Sequence, residues 1–321
     1  MKWYAPGIYD NYYNYYSNVV AQNATAAAVD ITLKIYEPGN STPVKTETKT
    51  GVAGYASVSF EQEGLTELGD NKFYSAVIEG TGNIAPIVNI YGRGPTDNQL
   101  YSYNPFVSGS PKAYAPVIMN NYYGYNSALV IQNIDTDDAN VKVTYTNGST
   151  KNYVIGPGAA ESIYTPTSGL PAGNTLYGAT VESTNSKNIV VLVNESNGYN
   201  RAASYSGFAG GANDVRSPIV MKRYYDYNTS VTCQNIGSNP TTMSIVYAGI
   251  SGSTTSPSIN VGGTHLFYQP DESSLPNDWI GSATITASED IVCVVNEDMN
   301  EPPKQYDIMD QLYAYNGIEG Q

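Results

Sequence analysis

The residues that could carry out catalysis are few and scattered. The chain of 321 residues contains one histidine, so any Ser-His-Asp or Cys-His arrangement would depend on His265. No nucleophile motif stands beside it, which favours a histidine that is satisfied within a strand. A glycosidase needs two carboxylates at a suitable separation, but only Glu195 and Glu297 recur at matching positions. The sequence gives no support for catalysis, and we expect a protein that is not an enzyme.

Tyrosine has the most distinctive pattern, with 30 tyrosines against 5 phenylalanines. One motif occurs three times with unchanged spacing: a proline, a tyrosine pair, a third tyrosine, a Ser or Thr, an apolar stretch and Gln-Asn. The copies begin at Pro6, Pro116 and Pro218. Their tyrosines are Tyr12, Tyr13 and Tyr15, then Tyr122, Tyr123 and Tyr125, then Tyr224, Tyr225 and Tyr227.

Three roles suit these tyrosines. Tyrosine has a large apolar face and one polar tip, so it can cover the end of a domain with its hydroxyl bonded to backbone. It can also form a contact between domains or subunits. Alternatively, the ring faces stack on sugars while nearby Asn side chains bind sugar hydroxyls. The first role is preferred from the sequence alone.

Recurrence at a period of about 100 residues indicates domain duplication rather than a short solenoid repeat. A second shared block supports it, because an apolar strand ends at Asn89, Asn194 and Asn296 in the three copies. The intervening segments are rich in Gly, Ser, Pro or Ala, which is typical of linkers. The resulting units are residues 1–106, 113–208 and 216–318, each long enough to bury its own core.

Short runs of Val, Ile, Thr and Tyr between turn residues indicate an all-β protein. The number of strands per unit predicts three tandem immunoglobulin-like β-sandwich domains. The tyrosines then lie in the loop between the first two strands of each unit, at the end from which the chain leaves. We therefore expect the first two tyrosine loops at junctions between units, and the third facing outward, free to bind something else.

The two cysteines occupy positions that are apolar in the other units. Cys233 aligns with Ala21 and Ile131, and Cys293 lies 60 residues later. This separation resembles the disulfide between facing sheets of an immunoglobulin domain. We favour such a disulfide over two buried free thiols, the outcome depending on the redox compartment.

A metal site has weak support. Two cysteines and one histidine do not make a four-ligand zinc set. Asp135, Asp137 and Asp138, and the acidic stretch from Glu297 to Glu301, offer oxygen ligands for calcium between units. Neither matches a twelve-residue calcium loop, so solvated acidic turns are the preferred interpretation and no cofactor is expected.

Composition excludes two classes of partner. A net charge of −14 lacks the clustered Lys and Arg that phosphate neutralisation needs, so we expect no nucleic acid. No apolar run approaches the ~20 residues that span a bilayer, so we expect no membrane insertion. The weakly charged, Tyr- and Asn-rich composition suits an extracellular or cell-surface protein.

The stretch from Tyr114 to Asn133, which contains the second copy of the motif, resembles a tandem β-sandwich repeat of secreted, largely uncharacterised bacterial surface proteins. The resemblance continues through Ile155–Ala159 and Leu170–Gly173 and covers the second and third units well, the first loosely. It implies an extracellular repeat protein and carries no catalytic residues.

The leading hypothesis is a non-enzymatic structural protein whose copies assemble into a filament, sheath or surface layer. One alternative is a carbohydrate-binding adhesin that recognises surface glycans through exposed tyrosines. Another is a virion decoration or fibre protein.

Overall fold

The computed structural model describes residues 1–94, 99–299 and 310–320. Antiparallel strands dominate these residues, two short 3₁₀ turns occur at Thr165–Thr167 and Gln269–Asp271, and no α-helix is present among them. No helix in the described ranges is long and apolar enough to cross a bilayer. Asn300 and Glu301, which belong to the second acidic stretch, lie outside the described residues. The all-β expectation is confirmed.

The first unit folds into two four-stranded sheets, ordered β1-β6-β3-β4 and β5-β2-β7-β8. The alternation of buried and exposed residues along these strands is that of sheets with one face on a core. The strands are β1 (Lys2–Tyr9), β2 (Tyr15–Asn23), β3 (Val29–Tyr36), β4 (Lys45–Val52), β5 (Ser57–Glu61), β6 (Phe73–Gly80), β7 (Ile84–Gly92) and β8 (Leu100–Tyr103).

The second unit repeats this order as β9-β14-β11-β12 and β13-β10-β15-β16. A short pairing between β9 and β10 at the tyrosines links the two sheets. The strands are β9 (Lys112–Tyr122), β10 (Tyr125–Asn133), β11 (Ala139–Tyr145), β12 (Thr150–Ile155), β13 (Ala160–Tyr164), β14 (Leu176–Ser183), β15 (Ile189–Ser196) and β16 (Ala202–Ser206).

In the third unit, the long strand β22 serves both sheets. Its first half pairs with β17 and β19, and its second half pairs with β18 and β23. The tail strand β24 pairs with β17. The strands are β17 (Ala212–Lys222), β18 (Tyr227–Asn235), β19 (Met243–Tyr247), β20 (Thr254–Thr255), β21 (Thr264–Tyr268), β22 (Trp279–Met299), β23 (Leu312–Asn316) and β24 (Ile318–Glu319).

The connectivity differs from the immunoglobulin expectation. In the immunoglobulin order the first two strands are neighbours in one sheet. Here β1 pairs with β6, whereas β2 pairs with β5 and β7 in the other sheet. Local periodicity predicts strands, but it does not specify which distant strands pair, and this explains the difference.

Three core clusters follow the three units, and the first two extend across unit boundaries. The first-unit cluster includes Val130 and Leu192 of the second unit. The second-unit cluster includes Val294 of the third. Val130 and Leu192 are cross-strand partners, and Val294 occupies the position of Leu192 in the next repeat. The second and third units therefore each pack an apolar outer sheet face against the preceding unit.

Candidate functional site

The tyrosines of each motif form a two-residue hairpin turn rather than an open loop. In the first unit, Tyr12 and Tyr15 exchange backbone hydrogen bonds of 2.9 and 3.0 Å. The same bridge joins Tyr122 to Tyr125 and Tyr224 to Tyr227. Only the middle tyrosine of each set lies within the turn.

Both turn residues adopt the left-handed backbone of a type I′ turn. The first turn position has φ of 50° at Tyr13, 48° at Tyr123 and 49° at Tyr225. A type I′ turn matches strand twist, but it favours Asn-Gly, because a bulky side chain at positive φ costs about 1 kcal/mol. All three units have a tyrosine at the first turn position, where it is unfavourable.

The three middle tyrosines are also among the most exposed aromatic side chains. Tyr13, Tyr123 and Tyr225 are 65%, 70% and 78% exposed. Each packs its ring edge-to-face against the preceding tyrosine, with centroid separations of 5.0, 4.9 and 4.8 Å. Strained backbone and exposure of a large ring at the same position are features of functional sites.

The motif proline marks a β-bulge that a distant tyrosine closes. The register of the first strand shifts just after Pro6, and the next residue, Gly7, lacks a ladder partner. The Tyr103 hydroxyl accepts from the Gly7 N–H at 3.1 Å and donates to its carbonyl at 2.9 Å. Tyr205 makes the same pair with Val117, and Tyr315 with Ile219. Tyr103, Tyr205 and Tyr315 recur near the end of the three units. This recurrence is a signal in the sequence, but it does not by itself reveal the contact.

The asparagine of Gln-Asn is structural in every unit. Asn133 is fully buried and donates to the carbonyls of Asp137 and Ile155, both at 2.8 Å. Its oxygen accepts from the Asp135 N–H. Asn23 and Asn235 repeat this arrangement, which satisfies the backbone where the second strand ends.

The glutamine of the same pair has a different role, which sequence reasoning missed. Gln132 donates across the first junction to the Ala76 carbonyl at 3.1 Å. Gln234 donates across the second junction to the Ala179 carbonyl at 3.4 Å. The two acceptors occupy equivalent strand positions, opposite Ala5 and Ala115. The two junctions therefore use one geometry.

The late asparagine also reaches across each junction. Asn194 donates to the Tyr9 hydroxyl at 3.2 Å, and Asn296 donates to Glu195 Oε2 at 2.7 Å. Glu195 is fully buried, and this burial raises its pKa to about 8 even though the Asn296 bond favours the ionised form.

Asp310, in the third unit, forms hydrogen bonds with both of the other units. Its carboxylate accepts from the backbone N–H of Leu100 in the first unit and of Ala202 in the second, both at 2.9 Å. Burial raises its pKa to about 6, against the lowering effect of these backbone bonds.

The first two tyrosine turns each line a cleft between units. The cleft of about 490 Å³ at the first junction is lined by Tyr12, Tyr13 and Tyr15, with Tyr164 opposite. The cleft of about 520 Å³ at the second junction is lined by Tyr122, Tyr123 and Tyr125, with Tyr268 opposite. Tyr164 and Tyr268 are counterparts in β13 and β21. The third set, Tyr224, Tyr225 and Tyr227, lines neither of these two clefts.

Cys233 and Cys293 are joined by a disulfide, with Cα atoms 4.1 Å apart. They are directly opposed residues on the adjacent strands β18 and β22. The bridge therefore lies within one sheet, and the expectation of a bridge between facing sheets is wrong. Spacing along the chain did not distinguish the two, because it does not specify strand pairing. Ala21–Pro86 and Ile131–Val191 are the corresponding buried pairs.

Two of the three aspartates proposed for calcium, Asp135 and Asp137, contact a lysine. Lys187 Nζ lies 2.5 Å from Asp137 and 3.8 Å from Asp135. Asp135 also accepts backbone N–H groups of Thr136 and Asn188. The carbonyl of Asp138 accepts from Asn185. Among the described residues, no three acidic, Cys or His side chains are grouped to hold a metal ion.

His265 lies in β21, edge-on to Phe267 at a centroid distance of 4.6 Å. Burial lowers its pKa, which favours the neutral ring. Its direct neighbour across the sheet is Cys233, which is already in the disulfide.

No protein-family model matches the chain, and no curated protein matches it. A solved structure from Thermotoga maritima, described as 1070, is similar at 18% identity. The match covers 31% of this chain and 94% of that one, with a TM-score of 0.27. A red sea bream transglutaminase is similar at 9% identity over 67% of this chain and 32% of that one, with a TM-score of 0.14.

Proposed function

We propose that the protein is a non-enzymatic, extracellular structural subunit built of three tandem β-sandwich domains. Copies join head to tail through their end domains and build a filament, sheath or surface layer. The observation that carries this proposal is a pair of exposed end faces, each of which is the counterpart of a face already used at the internal junctions.

One such face belongs to the first unit. Leu192, packed into the first-unit core at the junction, is fully buried, whereas its counterpart Ile87 is 37% exposed. Gln132 bonds across the junction, whereas its counterpart Gln22 is exposed and bonds to the Tyr55 carbonyl of its own unit. The apolar and polar groups that a junction uses are thus exposed on the first unit.

The complementary face belongs to the third unit. Val117 lines the second junction cleft and is 3% exposed, whereas its counterpart Ile219 is 44% exposed. Ile280, the counterpart of Leu176, is exposed as well, and Tyr225 stands nearby in the motif. Exposed apolar residues that are concentrated at counterparts of buried contacts indicate an interaction surface.

Joining these two faces produces a chain of copies. The contact is heterologous, since each copy contributes a different face, and repetition of one internal junction does not close into a dimer. The proposed growth direction follows the order of the units. The disulfide supports an oxidising, extracellular setting for this assembly.

Electron microscopy and sedimentation over a range of protein concentrations test the proposal. We expect oligomers that lengthen with concentration, and we expect Ile87→Glu to abolish them by placing a charge in the apolar contact. Val154→Glu is the matched control, because Val154 is exposed on β12, away from both end faces. Monodisperse monomers at every concentration would contradict the proposal, as would equal loss of assembly in both variants.

A further inference from the structure

The cleft at the second junction combines an aromatic wall with unpartnered polar atoms. Its volume of about 520 Å³ lies within the range of pockets that hold small ligands. Tyr122 and Tyr123 come from the second unit, and Tyr268 comes from the third. Tyr123 is held at positive φ with most of its ring exposed, so a flat apolar surface is available there.

Asn228 supplies an unused hydrogen-bond donor to this cleft. The residue is only 3% exposed and lines the cavity. Its Oδ1 accepts from the Arg223 N–H at 2.9 Å, but its Nδ2 has no partner. A buried donor without a partner costs about 1–3 kcal/mol, so its presence needs an explanation.

Asn296 supplies an unused acceptor, and the repeat shows how it arises. In the first two units the corresponding Asn oxygens accept from Ser102 at 2.8 Å and Ser204 at 2.7 Å. The third unit has Ala314 at this position in the strand pairing, which leaves Asn296 Oδ1 without a partner. The substitution of serine by alanine removes the internal donor at the second junction.

Two of the three charged side chains that line the cleft neutralise each other, and the third, Asp271, adds a negative charge. Arg201 and Asp298 form an ion pair at 3.2 Å, and the Tyr125 hydroxyl donates to Asp298 at 2.8 Å. The surrounding protein carries a net charge of −14, which disfavours anionic ligands. These charges disfavour an anionic ligand, while the tyrosine wall and the two unpartnered amide atoms suit a neutral ligand with one apolar face and hydroxyls that both donate and accept.

We propose that the second junction cleft binds a neutral pyranose sugar. The ring C–H face stacks on the tyrosines, while a hydroxyl accepts from Asn228 Nδ2 and another donates to Asn296 Oδ1. The first junction cleft lacks this arrangement, because Asn194 has partners for both its amide nitrogen and its oxygen. The third tyrosine turn lines neither of the two clefts, so the sugar site lies at the second turn.

The test uses a glycan array followed by saturation-transfer NMR with the methyl glycosides of glucose, galactose, mannose and N-acetylglucosamine. We expect at least one neutral sugar to bind, with affinity reduced by about tenfold or more in Tyr123→Ala. Ala314→Ser restores the internal donor, and we expect it to weaken binding several-fold while the protein remains folded. Tyr225→Ala removes the same turn residue outside the cleft and should leave binding unchanged.

Several results would overturn the sugar site. These are binding of anionic glycans alone, absence of binding by every neutral glycan, and equal losses in Tyr123→Ala and Tyr225→Ala. Full binding by Ala314→Ser would also contradict the role given to Asn296. Thermal unfolding of each variant shows whether a loss of binding reflects loss of the fold.

Discussion

At the scale of single residues, hydroxyls and amides repeated in each unit satisfy the backbone where strands bend or end. Tyr205 is the clearest case, because one hydroxyl both accepts from the N–H and donates to the carbonyl of Val117. We expect Tyr205→Phe to lower the free energy of unfolding by about 2–3 kcal/mol, since two buried backbone groups lose their partner. Urea denaturation measures the change. Tyr313→Phe, which alters an exposed tyrosine, should change stability little, and a similar loss there would contradict this role.

In the strained tyrosine turn, by contrast, we expect a substitution to raise stability. Tyr123→Asn places an asparagine before Gly124 in a turn that prefers Asn-Gly, so we expect stability to rise by about 0.5–1 kcal/mol. Sugar binding should fall in the same variant. The control is Tyr164→Asn, at an exposed position with ordinary extended backbone, where no gain is expected. A loss of stability in Tyr123→Asn would show that the ring, not the turn, dominates the energy.

Glu195 makes folding depend on pH. Its pKa is about 8 in the folded protein against 4.5 for an ordinary glutamate, so the folded state holds the proton more tightly. The contribution of protonated Glu195 to the free energy of unfolding is fully present below pH 4.5 and is lost as pH rises through about 8. We expect Glu195→Gln to be more stable than wild type by roughly 5 kcal/mol at pH 9, with little difference at pH 4. Parallel pH profiles of both proteins would contradict this assignment.

At the scale of elements, the sequence predicts strands and repeats better than it predicts their partners. The alternation in Val141–Tyr145 and the turn residues Asn147-Gly148 correctly indicate a hairpin, β11 to β12. The pairing of β1 with β6 depends on contacts far apart along the chain, which periodicity does not encode. For the same reason, a cysteine separation that resembles a bridge between sheets proved to join neighbouring strands.

Prediction of the candidate site from the sequence has the same limit, because contacts between distant strands are not encoded locally. The three tyrosine sets were identified from spacing, and the expectation that the first two lie at junctions came from the loop position in an immunoglobulin-like domain. The unpartnered amide atoms of Asn228 and Asn296 were not identified from the sequence. Whether a polar atom has a hydrogen-bond partner depends on which distant strands lie beside it. The replacement of Ser204 by Ala314 in the repeat was a usable signal once the strand register was known.

The disulfide should stabilise the third unit alone. Reduction should lower the unfolding free energy of this unit by about 2–4 kcal/mol. Hydrogen exchange should then accelerate in β18 and β22, with β10 and β15 of the second unit unchanged. In the double variant Cys233→Ile with Cys293→Val, which reproduces the Ile131–Val191 pair, exchange should not respond to reductant. Uniform acceleration through all units would contradict a local role.

At the scale of the whole molecule, the two internal junctions have the same packing arrangement. Each buries an outer sheet face of one unit on the preceding unit, with a Gln amide donating to an equivalent carbonyl. The first unit has the donor face free, and the third unit has the receiving face free. This asymmetry at the two ends is the central claim for assembly.

A mixing experiment tests that claim most directly. Ile87→Glu blocks the first-unit face, and Ile219→Glu blocks the third-unit face, while each variant keeps the other face intact. By analytical ultracentrifugation, we expect each variant alone to be monomeric and an equimolar mixture to form dimers and nothing larger, while wild type forms longer oligomers. A mixture that stays monomeric while wild type assembles, or a single variant that still forms long oligomers, would contradict head-to-tail joining of the end units.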